Sequence, residues 1–295
     1  MNAQETQGEP PMGDMTAGHA DIQHLCRLAQ VSRAGYYRHL GDRPSQRDDA
    51  DLRDAIQKIA IKDRHYGYRR ITWELRREGR IVNAKRVLRL MRDDNLLSLR
   101  AKPYVPRTTD SRHNFRIVPN LVRGLTPSGL DQIWVADITY VRLLDGFVYL
   151  AVVLDAFSRR AIGWALDDHL AASLALTALE MAIAARSKPL TDLIHHSDRG
   201  VQYTSNDYIE RLERLGARTS MSRPANPYDN AKAESFMKTL KVEEINGKNY
   251  RCIEEARNNI GRFIDQNYNR QRLHSAIGYQ PPIEFEAYFR QAQPI

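Results

Sequence analysis

Apolar positions along the chain change their period near residue 127, from helical spacing to short runs and alternation. In residues 21 to 40, Ile22, Leu25, Leu28 and Ala29, and then Tyr36 and Tyr37 beyond Val31 and Ser32, predict a helix, a tight turn and a second helix. Those residues fit a small helix-turn-helix and a plain αα-hairpin equally. Leu52, Ala55, Ile56 and Ile59 mark a longer helix that stops near His65, Tyr66 and Gly67. Tyr68 to Leu97 reads as another helix pair: Ile71, Trp73 and Leu75 on the first helix, a break at Gly79, then Val87, Leu88 and Met91 on the second, with Asn83 as its expected N-cap. From Arg100 to Thr126 the period is lost among Pro103, Pro106 and Pro119, which predicts an extended linker.

Beyond the linker the pattern is that of strands. Ile133 to Arg142 has strand composition, and Asp145-Gly146 is a two-residue hairpin turn into the apolar run Phe147 to Leu154. Ser158-Arg159-Arg160 returns the chain into a third strand, Ala161 to Leu166, so an antiparallel meander is expected. An alanine-rich helix from about Ala171 to Arg186, a short strand Leu193 to His196, a helix Asn206 to Leu215 and a strand Ala217 to Met221 follow. A further amphipathic helix, capped near Asp229 or Asn230, runs through Leu240 and Lys241. This order is that of a ribonuclease-H-like α/β domain, a mixed five-stranded sheet with flanking helices. The expected layout is a disordered leader (1–19), a helical region (20–99), a linker (100–126), the α/β core (127–250) and a C-terminal helical extension (251–295).

Charge gives the helical region a partner. The net charge is +8, but Asp51 to Leu130 alone holds 19 Lys or Arg against 8 Asp or Glu, an excess of +11 that leaves −3 for the rest. A basic block of that kind favours DNA phosphates, although a solvated helical face has the same composition. Arg69, Arg70, Arg76, Lys85 and Arg86 stud the polar faces of the second helix pair and are the expected DNA contacts there. Cys26 and Cys252 fit no disulfide or zinc spacing, the leader lacks the Lys and Arg of a targeting peptide, and no apolar run reaches the roughly 20 residues of a membrane span. The expectation is a soluble protein of a reducing cytoplasm.

Three carboxylates carry the candidate chemistry. Asp137 interrupts the strand Ile133 to Ile138, Asp198 follows Leu193 to Ser197 at a strand end, and Glu234 lies on the helix after Asn230. Taken singly, each is explained as a hydrogen-bonded, turn-forming or solvated residue. Phosphodiester cleavage and joining, however, need carboxylates that hold two Mg²⁺ or Mn²⁺ ions about 4 Å apart. The spacing, 60 residues between Asp137 and Asp198 and 35 between Asp198 and Glu234, draws the three together. Asp155 is the rival carboxylate, with a turn or capping role expected; His195 and His196 lack a third ligand nearby, so His196, like Asn230, is read as supporting the carboxylates.

Around these positions stand Trp134-Val135-Ala136-Asp137-Ile138-Thr139-Tyr140, His196-Ser197-Asp198-Arg199-Gly200 with Gln202-Tyr203, and Pro227-Tyr228-Asp229-Asn230-Ala231 running into Glu234. Tyr68-Arg69-Arg70-Ile71 precedes them, and Tyr268-Asn269, Arg272, His274 and Pro281-Pro282 follow. With these motifs in this order the chain resembles the DDE transposases of insertion sequences encoded by a second open reading frame, relatives of retroviral integrases, over nearly all of residues 20 to 287. The resemblance implies metal-dependent cleavage at the 3′ ends of an element and strand transfer into double-stranded DNA. It implies Asp137, Asp198 and Glu234 as metal ligands, no ATP, and a basic contact to the element end at Lys241, with Lys238 one turn before it. It also implies at least a dimer on DNA and, in many relatives, fusion to an upstream-frame partner. Arg270 and Arg272 of the tail are expected to face DNA. A DNA-binding regulator without catalysis, or a nuclease that cuts without joining, are the alternatives.

Overall fold

In Ile133–Arg142, strand β1, alternate side chains face opposite sides of a sheet. Ile133 and Val135 pack with one apolar cluster and Trp134 and Ala136 with another. Strand β2 (Phe147–Asp155) and strand β3 (Ala161–Asp167) complete an antiparallel meander, with Gly146 in a left-handed turn conformation at the hairpin. Strands β4 (Ile194–Ser197) and β5 (Arg218–Met221) add in parallel on the other side of β1, giving the mixed order β3-β2-β1-β4-β5. The expected strands are all present and their ends move by a residue or two.

The computed structural model describes residues 22–40, 46–97, 117–187, 189–223 and 226–292. The leader 1–19 and linker residues 100–116 lie outside the described residues. In chain order the helices are α1 (Ile22–Leu28), α2 (Arg33–Leu40), α3 (Gln46–Lys62), α4 (Tyr68–Arg77), α5 (Ala84–Asp93), α6 (Ala172–Ala184), α7 (Val201–Thr204), α8 (Asn206–Arg214), α9 (Ala231–Leu240), α10 (Ile253–Arg262) and α11 (Pro282–Ala292). The chain divides into two compact units, residues up to 59 and residues from 60 onward. In the first, Ser32 Oγ accepts the Gly35 N–H at the start of α2. In the second, α4 and α5 bury Ile71, Leu75, Val87, Leu90 and Met91, and Asn83 caps α5 by accepting the Lys85 N–H at 2.8 Å.

The alanine-rich composition of α6 has a packing cause. A Cβ on Gly163 of β3 would lie 2.1 Å from the Ala178 carbonyl oxygen and 2.8 Å from Ala182 Cβ, so helix and sheet meet backbone to backbone. Only small residues on both elements permit that approach. On the other face, α9 and α10 cover Ile133, Val135 and Val152 with Phe236, Met237, Leu240 and Ile260.

The tail is bound to the core through buried charge. Arg186 forms ion pairs with Asp131 at 2.7 Å, Glu286 of α11 at 2.9 Å and Asp155 at 3.4 Å, and Arg160 adds a 2.8 Å pair to Glu286. Burial alone would raise the Glu286 pKa, but Arg186 and Arg160 hold it below the usual carboxylate value. Asp155 therefore serves a turn, as expected: Oδ1 accepts the N–H groups of Phe157 and Ser158, and Oδ2 that of Asp131. Asn269 clasps the start of β3, taking the Ala161 N–H and donating to its carbonyl.

Removing one side of a buried charge cluster leaves the other uncompensated, which costs about 3–5 kcal/mol. Arg186→Ala is expected to lower the thermal midpoint by roughly 10 °C, since each kcal/mol is worth about 2–4 °C in a domain of this size. Calorimetric melting checks this, and a shift under 2 °C would remove the cluster from the stability account.

Candidate active site

Asp137 shares its face of β1 with Ile133 and Val135, the face covered by α9. The parallel register of β1 and β4 runs Ile133 to Ile194, Trp134 to His195 and Val135 to His196. Two further steps bring Asp137 alongside Asp198, just past the end of β4. The third acid arrives on α9, whose first turn is tied to β1 by Asn230 Nδ2 donating to the Ala136 carbonyl at 3.1 Å. Glu234 stands one turn along that helix, at the surface. Asn230 thus occupies the expected N-cap position, but its side chain holds the strand instead of capping the helix. The other expected cap, Asp229, accepts from Nε and Nη2 of Arg223, each at 2.9 Å, which keeps its carboxyl well below the usual range.

Electrostatics show the convergence. Burial first, then the charges of Asp198 and Glu234, raise the Asp137 pKa to about 7 against the pull of the Ile138 N–H and Lys241. The Ile138 N–H donates to Asp137 Oδ1 at 2.9 Å, and the Gly200 N–H to Asp198 Oδ1 at 2.9 Å. Gly200 has little room for a side chain, because a Cβ would stand 3.1 Å from that same carboxylate oxygen. Partial burial raises Glu234 as well. Lys241, one residue past α9, lies over the Tyr140 ring at 4.7 Å, its pKa lowered by burial and partly restored by Asp137. Lys238 is exposed.

Around the acids the structure shows the surroundings of residues whose roles the sequence left open. Tyr203 is buried, and Asp198 and Asp137 add to the burial and the Tyr208 neighbour that push its hydroxyl up; that hydroxyl has no hydrogen-bond partner among the described residues. His196 gives both ring nitrogens to serines, Ser220 and Ser222, and burial lowers its pKa to about 4, so it is neutral and joins β4 to β5 and the loop beyond. His195, lowered to about 3 by burial, accepts from or donates to the Tyr208 hydroxyl on the opposite face.

Hard oxygen donors that repel one another suit a divalent cation of the Mg²⁺ or Mn²⁺ type. The carboxylate oxygens of Asp137, Asp198 and Glu234 are not all within 4.8 Å of one another; among the described residues, ligand atoms of Asp167, Asp168 and His169 are. The Asp198 charge acts on Asp137 more strongly than that of Glu234.

The basic residues divide. Arg69 and Arg76 are exposed, their guanidinium groups over Tyr68 and Trp73, and Lys85 is exposed at the start of α5 with Arg86 half-buried beside it. Arg70 differs from expectation: it is half-buried, lies over Tyr66 and donates Nε to the Leu273 carbonyl at 3.0 Å. Arg272, expected to face DNA, is buried in a two-bond pair with Glu243. With Trp73 stacked on Tyr279 at 5.1 Å and Arg77 paired with Glu284, these contacts fasten α4 to the tail. Sequence spacing carries no sign of such pairings, because the partners are about 200 residues apart.

Comparison with known proteins places these features in a wider set. Residues 128–227 and 215–282 match two family models described as integrase core domain, and residues 46–104 one described as HTH-like domain. The insertion element IS600 uncharacterized 31 kDa protein of Shigella sonnei is 39% identical over 90% of this chain and 99% of its own length. Transposase InsF for insertion sequence IS3A of Escherichia coli (strain K12) is 36% identical over 90% of this chain and 93% of its own. Among solved structures, the catalytic core domain of BIV integrase is 18% identical and covers 55% of this chain and 99% of that one, with a TM-score of 0.40.

The raised Asp137 pKa makes stability depend on pH. With a folded-state value of about 7 against the usual 3.8, the folded chain binds more protons than the unfolded one between those values. The stability tied to this proton is complete below pH 3.8 and is lost as pH rises through 7. In cation-free buffer, Asp137→Asn is expected to melt several degrees above wild type at pH 8, with the advantage shrinking toward pH 4.5. An advantage that does not vary with pH would contradict the electrostatic reading.

Proposed function

Since the chain belongs to the insertion-sequence transposases of the IS3 family, with an integrase core domain and an HTH-like domain, we propose that it recognises the ends of its element, cleaves them at the 3′ side and joins them to target DNA. The observation that carries this reading is the convergence of Asp137, Asp198 and Glu234, felt as the rise of the Asp137 pKa, in a chain with that ancestry. In this reading Asp137, Asp198 and Glu234 would together hold the Mg²⁺ or Mn²⁺ ions. When bound, the pair of ions supplies a nucleophilic oxygen at neutral pH and positive charge at the leaving oxygen.

The chain's own residues do the rest. The Ile138 and Gly200 N–H groups fix one oxygen of Asp137 and one of Asp198. Asn230 holds the start of α9, the helix of Glu234, against β1. Lys241, braced by Tyr140, and Lys238 meet the phosphates of the element end. Arg69, Arg76, Lys85 and Arg86 carry further duplex contacts; Arg70 is left out because its Nε serves the tail. Two ends must be brought together, so at least two copies act on DNA, alone or fused to an upstream-frame partner, on the nucleoid in the bacterial cytoplasm.

The test is incubation of the purified chain with Mg²⁺ and duplex DNA carrying the element's terminal repeats, followed by mapping of 3′-cleaved and strand-joined products. Asp137→Asn and Glu234→Gln are expected to reduce joining at least about a thousandfold, about 4 kcal/mol of transition-state stabilisation. Full activity in either variant refutes the assignment, and cleavage without joining indicates a nuclease. Lys238→Gln is expected to weaken binding and to reduce the salt slope of log K by about one.

A further inference from the structure

On the α9 face of the sheet a cavity of about 390 Å³ lies between the start of α9 and the segment before β1. Its floor includes Ile133 and Val135, the β1 residues that share a face with Asp137, and Val135 is two strand residues, about 7 Å, from that acid. Its walls include Val122 and Leu125 from the segment before β1, and Asn230 and Ala231 at the start of α9. The mouth carries charge. Arg223 is matched by Asp229, but Arg123 and Lys232 take part in no ion pair among the described residues. Asn230 is 7% exposed, and with Nδ2 on the Ala136 carbonyl its Oδ1 is a buried acceptor without a donor. A buried acceptor left unmet is costly, which makes it a strong point for recognition.

Apolar walls, two cations without an ion pair among the described residues and an unmet carbonyl oxygen together describe a nucleotide. We propose that this cavity seats the nucleotide next to the scissile phosphate, with its own phosphate at Arg123 and Lys232, its base against Leu125, Ile133 and Val135, and a base N–H on Asn230 Oδ1. Every DNA base offers an amino or imino N–H, so the subsite selects an unstacked nucleotide and not one base. The inference rests on the transposase reading and adds a residue-level place for the strand end.

Ala231→Leu fills the cavity at an exposed position of α9 with a residue of good helix propensity. Single-turnover joining by the full chain is measured on the intact terminal-repeat duplex and on duplexes with one abasic site at each position around the cleavage point. On the intact duplex Ala231→Leu raises the half-saturating DNA concentration at least tenfold and changes the maximal rate less than twofold; Lys232→Gln does the same to a smaller degree. At one abasic position wild type and Ala231→Leu coincide. An unchanged half-saturation, or the same ratio on every abasic duplex, overturns the subsite while Asp137→Asn still reports on the active site. If wild type joins nothing, the transposase reading fails by itself. Fluorescence anisotropy with the same duplexes then decides the cavity, which stands only if one abasic site weakens wild type and not Ala231→Leu.

Discussion

The chain places an aspartate where ionisation is costly, and the core is arranged around that constraint. Asp137 sits on the covered face of a central strand, beside a second acid on the neighbouring strand and within reach of a third on a helix. Burial and like charge both oppose its negative form. A fold that sought stability alone would place Val or Ile there, as it does at Ile133 and Val135. The parallel β1–β4 register, the Asn230 bond to Ala136 and the closeness of Gly200 to Asp198 keep the repulsion in being. Strain held in this manner is usual at functional sites.

Such a site needs a stiff frame, and the tail supplies part of it. Glu286 and Asn269 attach the C-terminal segment to the turn after β2 and to the start of β3, and the Arg272–Glu243 pair joins the same segment to the turn that extends α9. Leu273 and Tyr279 in turn receive α4 through Arg70 and Trp73. The basic helix α4 is therefore connected to the helix of Glu234 by a chain of packed and ion-paired residues. A buried network of this sort contributes less to net stability than to fixing one arrangement among several.

Much of the architecture was legible in the sequence because its determinants are local. Strand alternation, the Asp145-Gly146 turn, the Asn83 cap and the turn role of Asp155 depend on residues within a few positions of one another, and each stands where it was read. The three acids became legible through spacing, although no one of them stood out alone. What was not legible is long-range. Arg70 and Arg272 look like solvated DNA contacts until the tail closes on them, and Asn230 looks like a helix cap until β1 offers its Ala136 carbonyl. The unpartnered Tyr203 hydroxyl and the tight contact at Gly200 likewise exist only once β4 and α7 meet β1.

The central claim, that the carboxylates repelling one another at Asp137 form a cation site, is tested most directly by proton release. Titration calorimetry of Mn²⁺ into the protein at pH 7, repeated in buffers of different ionisation enthalpy, counts the protons displaced on binding. With the Asp137 pKa at about 7, roughly half a proton should leave per molecule at pH 7, almost none at pH 9, and none in Asp137→Asn, whose affinity should also collapse. Binding that releases no proton at pH 7, or that survives Asp137→Asn unchanged, would contradict the account.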